Sequence, residues 1–261
     1  MRALDDQTIL ITGSTDGLGR RVAEDLAGQG ARVLVHGRSP ERVERTVEEI
    51  GAAAGYVADF ASLAQVRRLA GELNESEDRL DVLVNNAGLV SPERQESEDG
   101  YELGFAVNYL AGFALTGLLL PLIDGRIVNV ASIGQYPIDF GDVMLEHGYD
   151  GYRSYAQSKL AQVMFTFELA ERLGDGVTVN ALHPATLMDT KMVRDSFGRT
   201  QDSVEEGARS VEHLVADPEL DGVSGRYFDR MSESTANEQA YDADARRRLW
   251  ELSEDLTEVR F

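Results

Sequence analysis

The chain has no cysteine and only two lysines, Lys159 and Lys191, beside 23 arginines. The absence of cysteine excludes disulfides, thiolate metal sites and cysteine nucleophiles. Histidine is almost as scarce. The four present, His36, His147, His183 and His213, show no H-x-x-x-H or H-x-E spacing, so no histidine metal centre is expected. Net positive charge is also missing. Forty-six acidic residues leave a formal charge of −21, which argues against nucleic acid or an anionic membrane as partner. The acids are spread without one long block, as on a solvated surface. With lysine so rare, this composition points to a salt-rich cytoplasm. A GC-rich genome would explain the lysine deficit but not the acidic excess.

Long apolar runs are few. The start, Met1-Arg2-Ala3-Leu4-Asp5-Asp6, lacks the apolar core of a signal peptide, and a cytoplasmic protein is expected. Leu103 to Ile123 carries no charge and is long enough to span a bilayer. It contains Asn108 and Pro121 and is flanked by acids, so it reads as a buried core or interface helix. Linkers, repeats and low-complexity tracts are absent, and residues 1–261 read as one domain.

What is present is an alternation of short apolar runs with amphipathic segments. Thr8–Thr12, Arg32–His36, Tyr56–Ala58, Val82–Val84, Ile127–Val130, Val177–Ala181 and, more weakly, Gly225–Phe228 read as strands. Leu18, Val22, Ala23, Leu26 and Ala27 mark one face of a helix ending near Gly30, and another helix starts near Pro40. Continuous apolar strands between helices predict an α/β fold of Rossmann type, a doubly wound parallel sheet covered on both faces. Asp242 to Leu256 reads as a surface helix carrying the only tryptophan, Trp250.

The first strand runs into Thr12-Gly13-Ser14-Thr15-Asp16-Gly17-Leu18-Gly19. Between a strand and a helix, this spacing suits a dinucleotide. Gly13 makes the tight turn, Gly17 lets backbone approach the pyrophosphate, and Gly19 lets the helix pack on the sheet. The loop and helix start, Gly13, Ser14, Thr15, Gly17, Leu18 and Gly19, are candidate cofactor contacts. An NAD site would place a carboxylate at the end of the second strand. Here the strand ends His36-Gly37-Arg38, and a guanidinium suits a 2′-phosphate, so NADP(H) is expected over NAD(H). Tyr155 and Lys159 stand four apart on a helical pattern, hence on one face, as a phenol with an ammonium neighbour.

These motifs, with Asn85-Asn86-Ala87-Gly88 after the fourth strand and Ser132 after the fifth, resemble the short-chain dehydrogenase/reductases over essentially the whole chain. Within that family the chain is most similar to the retinol-dehydrogenase-like branch, through Gln157–Ala161, Arg248–Ser253 and the long segment between Ser132 and Tyr155. Membrane-bound members of that branch carry an N-terminal anchor; this chain is expected to be a soluble relative. The resemblance implies interconversion of a carbonyl and an alcohol. Tyr155 would be the general acid or base. Lys159 would lower its pKa and hold the nicotinamide ribose. Ser132 would donate to the substrate oxygen, and Asn108 would bind a water linking Lys159 to solvent. Asp59 and Phe60 would lie against adenine, and Asn86, Ala87 and Gly88 beneath the cofactor.

The chain departs from the family at His183-Pro184-Ala185, where glycine usually follows proline. Thr190 is nevertheless assigned to the nicotinamide amide. His183 reads as a structural strand-end residue and Lys191 as an ordinary surface charge. A substrate lid is expected over about residues 186–210. The substrate is expected to be an apolar-tailed small molecule, lined by Val90, Ile133, Leu187, Met188, Met192, Tyr149 and Tyr152. A non-catalytic NADP(H)-binding sensor or scaffold is the rival reading, and an epimerase or dehydratase a second. Pairing of two copies through the long helices, roughly Asp99–Leu120 and Ser154–Leu173, stays open.

Overall fold

Among the described residues, seven of the eight strands grow from the apolar runs of the sequence. They are β1 (Thr8–Ile11), β2 (Arg32–Gly37), β3 (Ala54–Val57), β4 (Leu80–Asn85), β5 (Ile123–Val130), β6 (Thr178–His183) and β7 (Arg226–Asp229). The eighth, β8 (Ser232–Glu233), is a two-residue edge that the sequence pattern does not signal. The computed structural model describes residues 2–174 and 176–261. The sheet order is β3-β2-β1-β4-β5-β6-β7-β8, parallel throughout except for the antiparallel β7–β8 pair. The order reverses between β1 and β4. Ligands of open α/β sheets bind in the crevice at such a reversal, outside the carboxyl ends of the strands.

Two apolar layers cover the sheet. On one face lie α1 (Gly17–Gly28), α2 (Pro40–Ile50) and α8 (Val204–Ala216); Val22, Leu26, Val211 and Val215 pack there on Ile9, Val33 and Val82. Each of those side chains contributes roughly 1.5–3 kcal/mol by leaving water. α1 starts where the Asp16 side chain accepts from the Gly17 amide at 2.8 Å. α2 starts at Ser39 followed by Pro40 and stops at Gly51 in the left-handed region, φ 67°.

On the other face lie α3 (Leu63–Ser76), the α4 turn (Leu103–Phe105) with α5 (Ala111–Leu119), the 23-residue α6 (Gly151–Leu173) and α9 (Ala243–Thr257). Between α4 and α5 the helix widens into a π turn, Ala106–Leu110, centred on Asn108. Leu103–Leu122 is long and apolar enough to cross a membrane, yet 67% of its apolar window is buried in the fold. The last helix on this face, α9, corrects one expectation. Trp250 is only 2% exposed, with its ring against Phe113, Phe165 and Phe261. Arg247 and Arg248 lie on the outer face, while Arg246, Leu249, Trp250 and Ser253 lie on the inner one. A short helix, α7 (Lys191–Phe197), stands apart from both layers, above the carboxyl edge of the sheet.

Candidate active site

One cavity of about 810 Å³ runs along the carboxyl ends of the strands. Its walls include Gly13, Thr15, Gly17, Leu18, Gly19, Arg38, Asp59, Phe60, Asn86, Ala87, Gly88, Ser132, Tyr155, Lys159 and Thr190. Loops separated by more than 170 residues are thus brought to one crevice by strand order alone. Ser14 and Asn108 are not brought to its wall. The Ser14 hydroxyl is fully buried, donating to the Ile11 carbonyl at 2.7 Å and accepting from the His36 amide at 3.0 Å. It clasps β1 to β2 from inside. Asn108 clamps the Leu89 backbone in both directions, accepting from its amide at 2.8 Å and donating to its carbonyl at 3.0 Å. It also donates to the Ser158 hydroxyl at 2.9 Å.

The glycine loop has the dimensions a dinucleotide requires. A Cβ on Gly13 would fall 2.8 Å from Ala87 Cα, and one on Gly19 would fall 2.3 Å from Asn86 Nδ2 and 2.5 Å from the Gly13 carbonyl oxygen. Only bare backbone fits there, which lets a phosphate approach the main chain at the start of α1. The Thr12 hydroxyl joins the loop to the segment after β4. It accepts from the Asn86 and Ala87 amides at 2.9 and 3.0 Å and donates to the Val84 carbonyl at 3.2 Å.

His36 is a site residue that sequence reasoning passed over. Its Nδ1 accepts from the Gly13 amide at 3.2 Å, and its Nε2 faces the Ala58 carbonyl at 3.2 Å, so the proton belongs on Nε2. Its ring stacks on Phe60 at 4.4 Å. One imidazole thus ties the glycine loop, β2 and the segment after β3. Burial pushes its pKa down to about 4, which keeps it neutral in this role. Arg38 follows two residues later at the cavity wall, with Arg42 beside it. Arg42 is ion-paired to Asp16 at 2.8 Å and holds that carboxyl below the usual carboxylate range.

At the other end of the cavity α6 presents Tyr155 and Lys159. The Lys159 Nζ lies 5.6 Å from the centre of the Tyr155 ring. It donates to the Val130 carbonyl at 2.8 Å and to Gln162 Oε1 at 2.9 Å, and burial pushes its pKa down to about 7. Burial also raises the Tyr155 phenol above its ordinary value, while its hydrogen bond with the Ser132 side chain pulls the other way. The expected lowering by Lys159 does not prevail: burial favours the neutral form of both groups. The Ser132 carbonyl is held by the Tyr227 hydroxyl at 3.0 Å and by Gln135 Nε2 at 2.9 Å, which fixes the loop after β5. The Ser132 hydroxyl accepts from the Gly134 amide at 3.1 Å.

The apolar part of the wall holds Val90, Ile133, Tyr152, Leu187, Met188 and Met192. Tyr149 is turned away, donating to the Ser91 carbonyl at 2.9 Å next to the buried Glu102 carboxylate. His183 closes the floor of the segment after β6, its Nε2 3.0 Å from the Thr186 hydroxyl. That segment is pinned where Asp202 accepts from the Thr186 amide and from Arg230, both at 2.6 Å.

Comparison with known proteins places this geometry. The family model described as short chain dehydrogenase matches residues 7–201. Human retinol dehydrogenase 14 is 38% identical over 95% of this chain and 85% of its own length. The crystal structure of an uncharacterised protein from Mycobacterium paratuberculosis superimposes with a TM-score of 0.85 at 30% identity, covering 98% of this chain and 95% of that one. A short chain dehydrogenase from Escherichia coli CFT073, solved in complex with NADPH, gives a TM-score of 0.68 at 27% identity, over 88% of this chain and 99% of that one. The chain belongs to the short chain dehydrogenase family: it is an oxidoreductase acting on alcohol or carbonyl groups with a nicotinamide cofactor.

Proposed function

We propose that the protein is an NADP(H)-dependent carbonyl reductase or alcohol dehydrogenase in which Tyr155 moves the proton. The observation that carries this reading is the convergence of Tyr155, Lys159 and Ser132 on the cavity that also holds the glycine loop. When bound, the nicotinamide supplies or removes the hydride. Tyr155, protonated at neutral pH, gives its phenolic proton to the substrate oxygen in reduction and recovers it in oxidation. Ser132, with its backbone fixed by Tyr227 and Gln135, donates a hydrogen bond to the same oxygen and stabilises its developing charge. Lys159 rests on Val130 and Gln162, next to the phenol and at the place assigned to the nicotinamide ribose. Gly88 leaves room beside it, since a Cβ there would lie 3.6 Å from the Lys159 Nζ. The side-chain groups of Asn108 are committed to Leu89 and Ser158, so a water relay at this position would use its main-chain carbonyl.

Arg38 supports NADP(H) over NAD(H), because it stands where a 2′-hydroxyl site would place a carboxylate. The apolar wall supports an apolar-tailed substrate, in keeping with the name of the retinol dehydrogenase relative. Residues 186 to 203 would form the lid over that wall, with Asp202 at its neck; 204 to 210, first counted with it, open α8 and belong to the layer on the sheet. The acidic surface supports a salt-rich cytoplasmic setting. NADPH consumption against a panel of apolar aldehydes and ketones tests the activity, with Tyr155→Phe as control. Loss of the phenolic proton should lower turnover by about 10²–10⁴ and leave cofactor binding intact. Unchanged turnover would overturn the mechanism. Tight NADPH binding without turnover on any carbonyl would favour the non-catalytic sensor instead.

A further inference from the structure

Both lysines of a chain with 23 arginines line the same cavity. Lys159 belongs to the chemistry. Lys191 lies at the opposite side, as the first residue of α7, and its sequence context alone suggested nothing beyond a surface charge. The residue before it touches the phosphate loop: a Cβ on Gly17 would lie 3.3 Å from Thr190 Cγ2. Gly17 opens α1, where main-chain N–H groups face an incoming anion. That same position carries an acid, Asp16, whose carboxyl is held below its usual range by Arg42 first, then by the Gly17 amide, and more weakly by Lys191. Lys191 is therefore close enough to the start of α1 for its charge to be felt there.

Acids outnumber bases 46 to 25, and most of the cations have an acidic partner. Of the four cations on the cavity wall, Arg42 is paired with Asp16, and Lys159 is buried against Val130 and Gln162. Arg38 and Lys191 make no ion pair among the described residues. Either dinucleotide entering this crevice brings charge at the diphosphate, and NADP(H) a second charge at the 2′-phosphate of its adenosine ribose, against the repulsion of a chain of charge −21. The 2′-phosphate is the first point and the diphosphate the second. Arg38, two residues beyond His36, stands at the first. Lys191, next to the Thr190 that contacts Gly17, stands at the second. A lysine suits the role, since its flexible stem carries a compact charge that reaches phosphate without needing a fixed planar fork.

We propose that Lys191 is a cofactor-binding residue that sets its ammonium against the diphosphate and offsets the Asp16 carboxylate at that site. The inference rests on dinucleotide binding, which the family supplies, and not on the choice between NADP(H) and NAD(H). Calorimetric titration of wild type, Lys191→Gln and Lys191→Arg with ADP-ribose and with adenosine 2′-monophosphate tests it, at one fixed salt concentration. ADP-ribose carries the diphosphate without nicotinamide or 2′-phosphate; the monophosphate carries the 2′-phosphate alone. Lys191→Gln should weaken ADP-ribose by roughly tenfold and leave the monophosphate unchanged, while Lys191→Arg retains most of the affinity. Unchanged ADP-ribose affinity in Lys191→Gln overturns the proposal. So does an equal loss for both ligands, which would mean a disturbed cleft, or absence of ADP-ribose binding by wild type. Failure of wild type to bind the monophosphate would instead sink the Arg38 assignment and leave the diphosphate result standing.

Discussion

Replacing Lys159 by methionine should change how stability depends on pH, in a direction and amount that the structure sets. Lys159 is 5% exposed, and burial moves its pKa from 10.5 to about 7. The unfolded chain keeps that proton up to the ordinary lysine value. Between about pH 7 and 10.5 the unfolded state therefore binds one more proton than the folded state. The stability contributed at this site is lowest below that window and rises with pH through it. A full proton of difference is worth about 1.4 kcal/mol per pH unit, so wild type should gain about 2 kcal/mol between pH 7 and pH 9. Methionine fills similar space and does not titrate. The unfolding free energy of wild type minus that of Lys159→Met should thus increase by about 2 kcal/mol over those two units. Urea unfolding followed by far-ultraviolet circular dichroism, at constant potassium chloride, measures it. A difference that does not change with pH would refute the reasoning. It would mean that the Val130 and Gln162 oxygens hold the lysine charged despite its burial.

Arg38→Asp should raise the NADPH Kd by roughly 30- to 100-fold and improve NADH binding, through loss of a paired charge-assisted contact; equal use of both cofactors by wild type would count against this. Gly19→Ala should abolish cofactor binding and cost roughly 1–3 kcal/mol in urea unfolding, because the backbone oxygen of Gly13 cannot move aside. In thermal melts the Tm should rise between low and molar potassium chloride, and equal values would remove the salt adaptation inferred from the −21 charge. Sedimentation at high salt should give a monomer. α9 packs on α6, and Val259 and Phe261 sit against Gly117 of α5, so the two long helices through which pairing was considered are covered by the chain itself.

The sheet was legible in the sequence because strands buried on both faces must carry continuous apolar runs, as Ile9 to Ile11 and Val82 to Val84 do. The glycine loop, Ser132 and the Tyr155/Lys159 pair were legible because each follows an element of the right kind. Side-chain direction was not. Ser14 and Thr15 are neighbours in one motif, yet one is a buried clasp and the other lines the cleft. His36 stands one residue before the end of β2, and nothing local tells whether its ring faces solvent or the glycine loop. Trp250 lies among arginines that conceal its inward face. The pKa directions of Tyr155 and Lys159 depend on burial by residues far along the chain, so spacing alone suggested the opposite shift for the phenol.

The aromatic cluster around Trp250 has a consequence for spectroscopy. The only tryptophan lies outside the cleft, with the Arg172 guanidinium 4.1 Å from its ring and Phe165 stacked at 6.0 Å. Both neighbours belong to α6, the helix that carries Tyr155. Phe165 is ten residues beyond that tyrosine, about 15 Å along the axis. Tryptophan emission of this protein is therefore insensitive to direct contact with ligands. A shift in its emission wavelength on adding oxidised cofactor would report strain relayed along α6 into the far core, and a constant wavelength would show that α6 receives its ligands as a rigid rod.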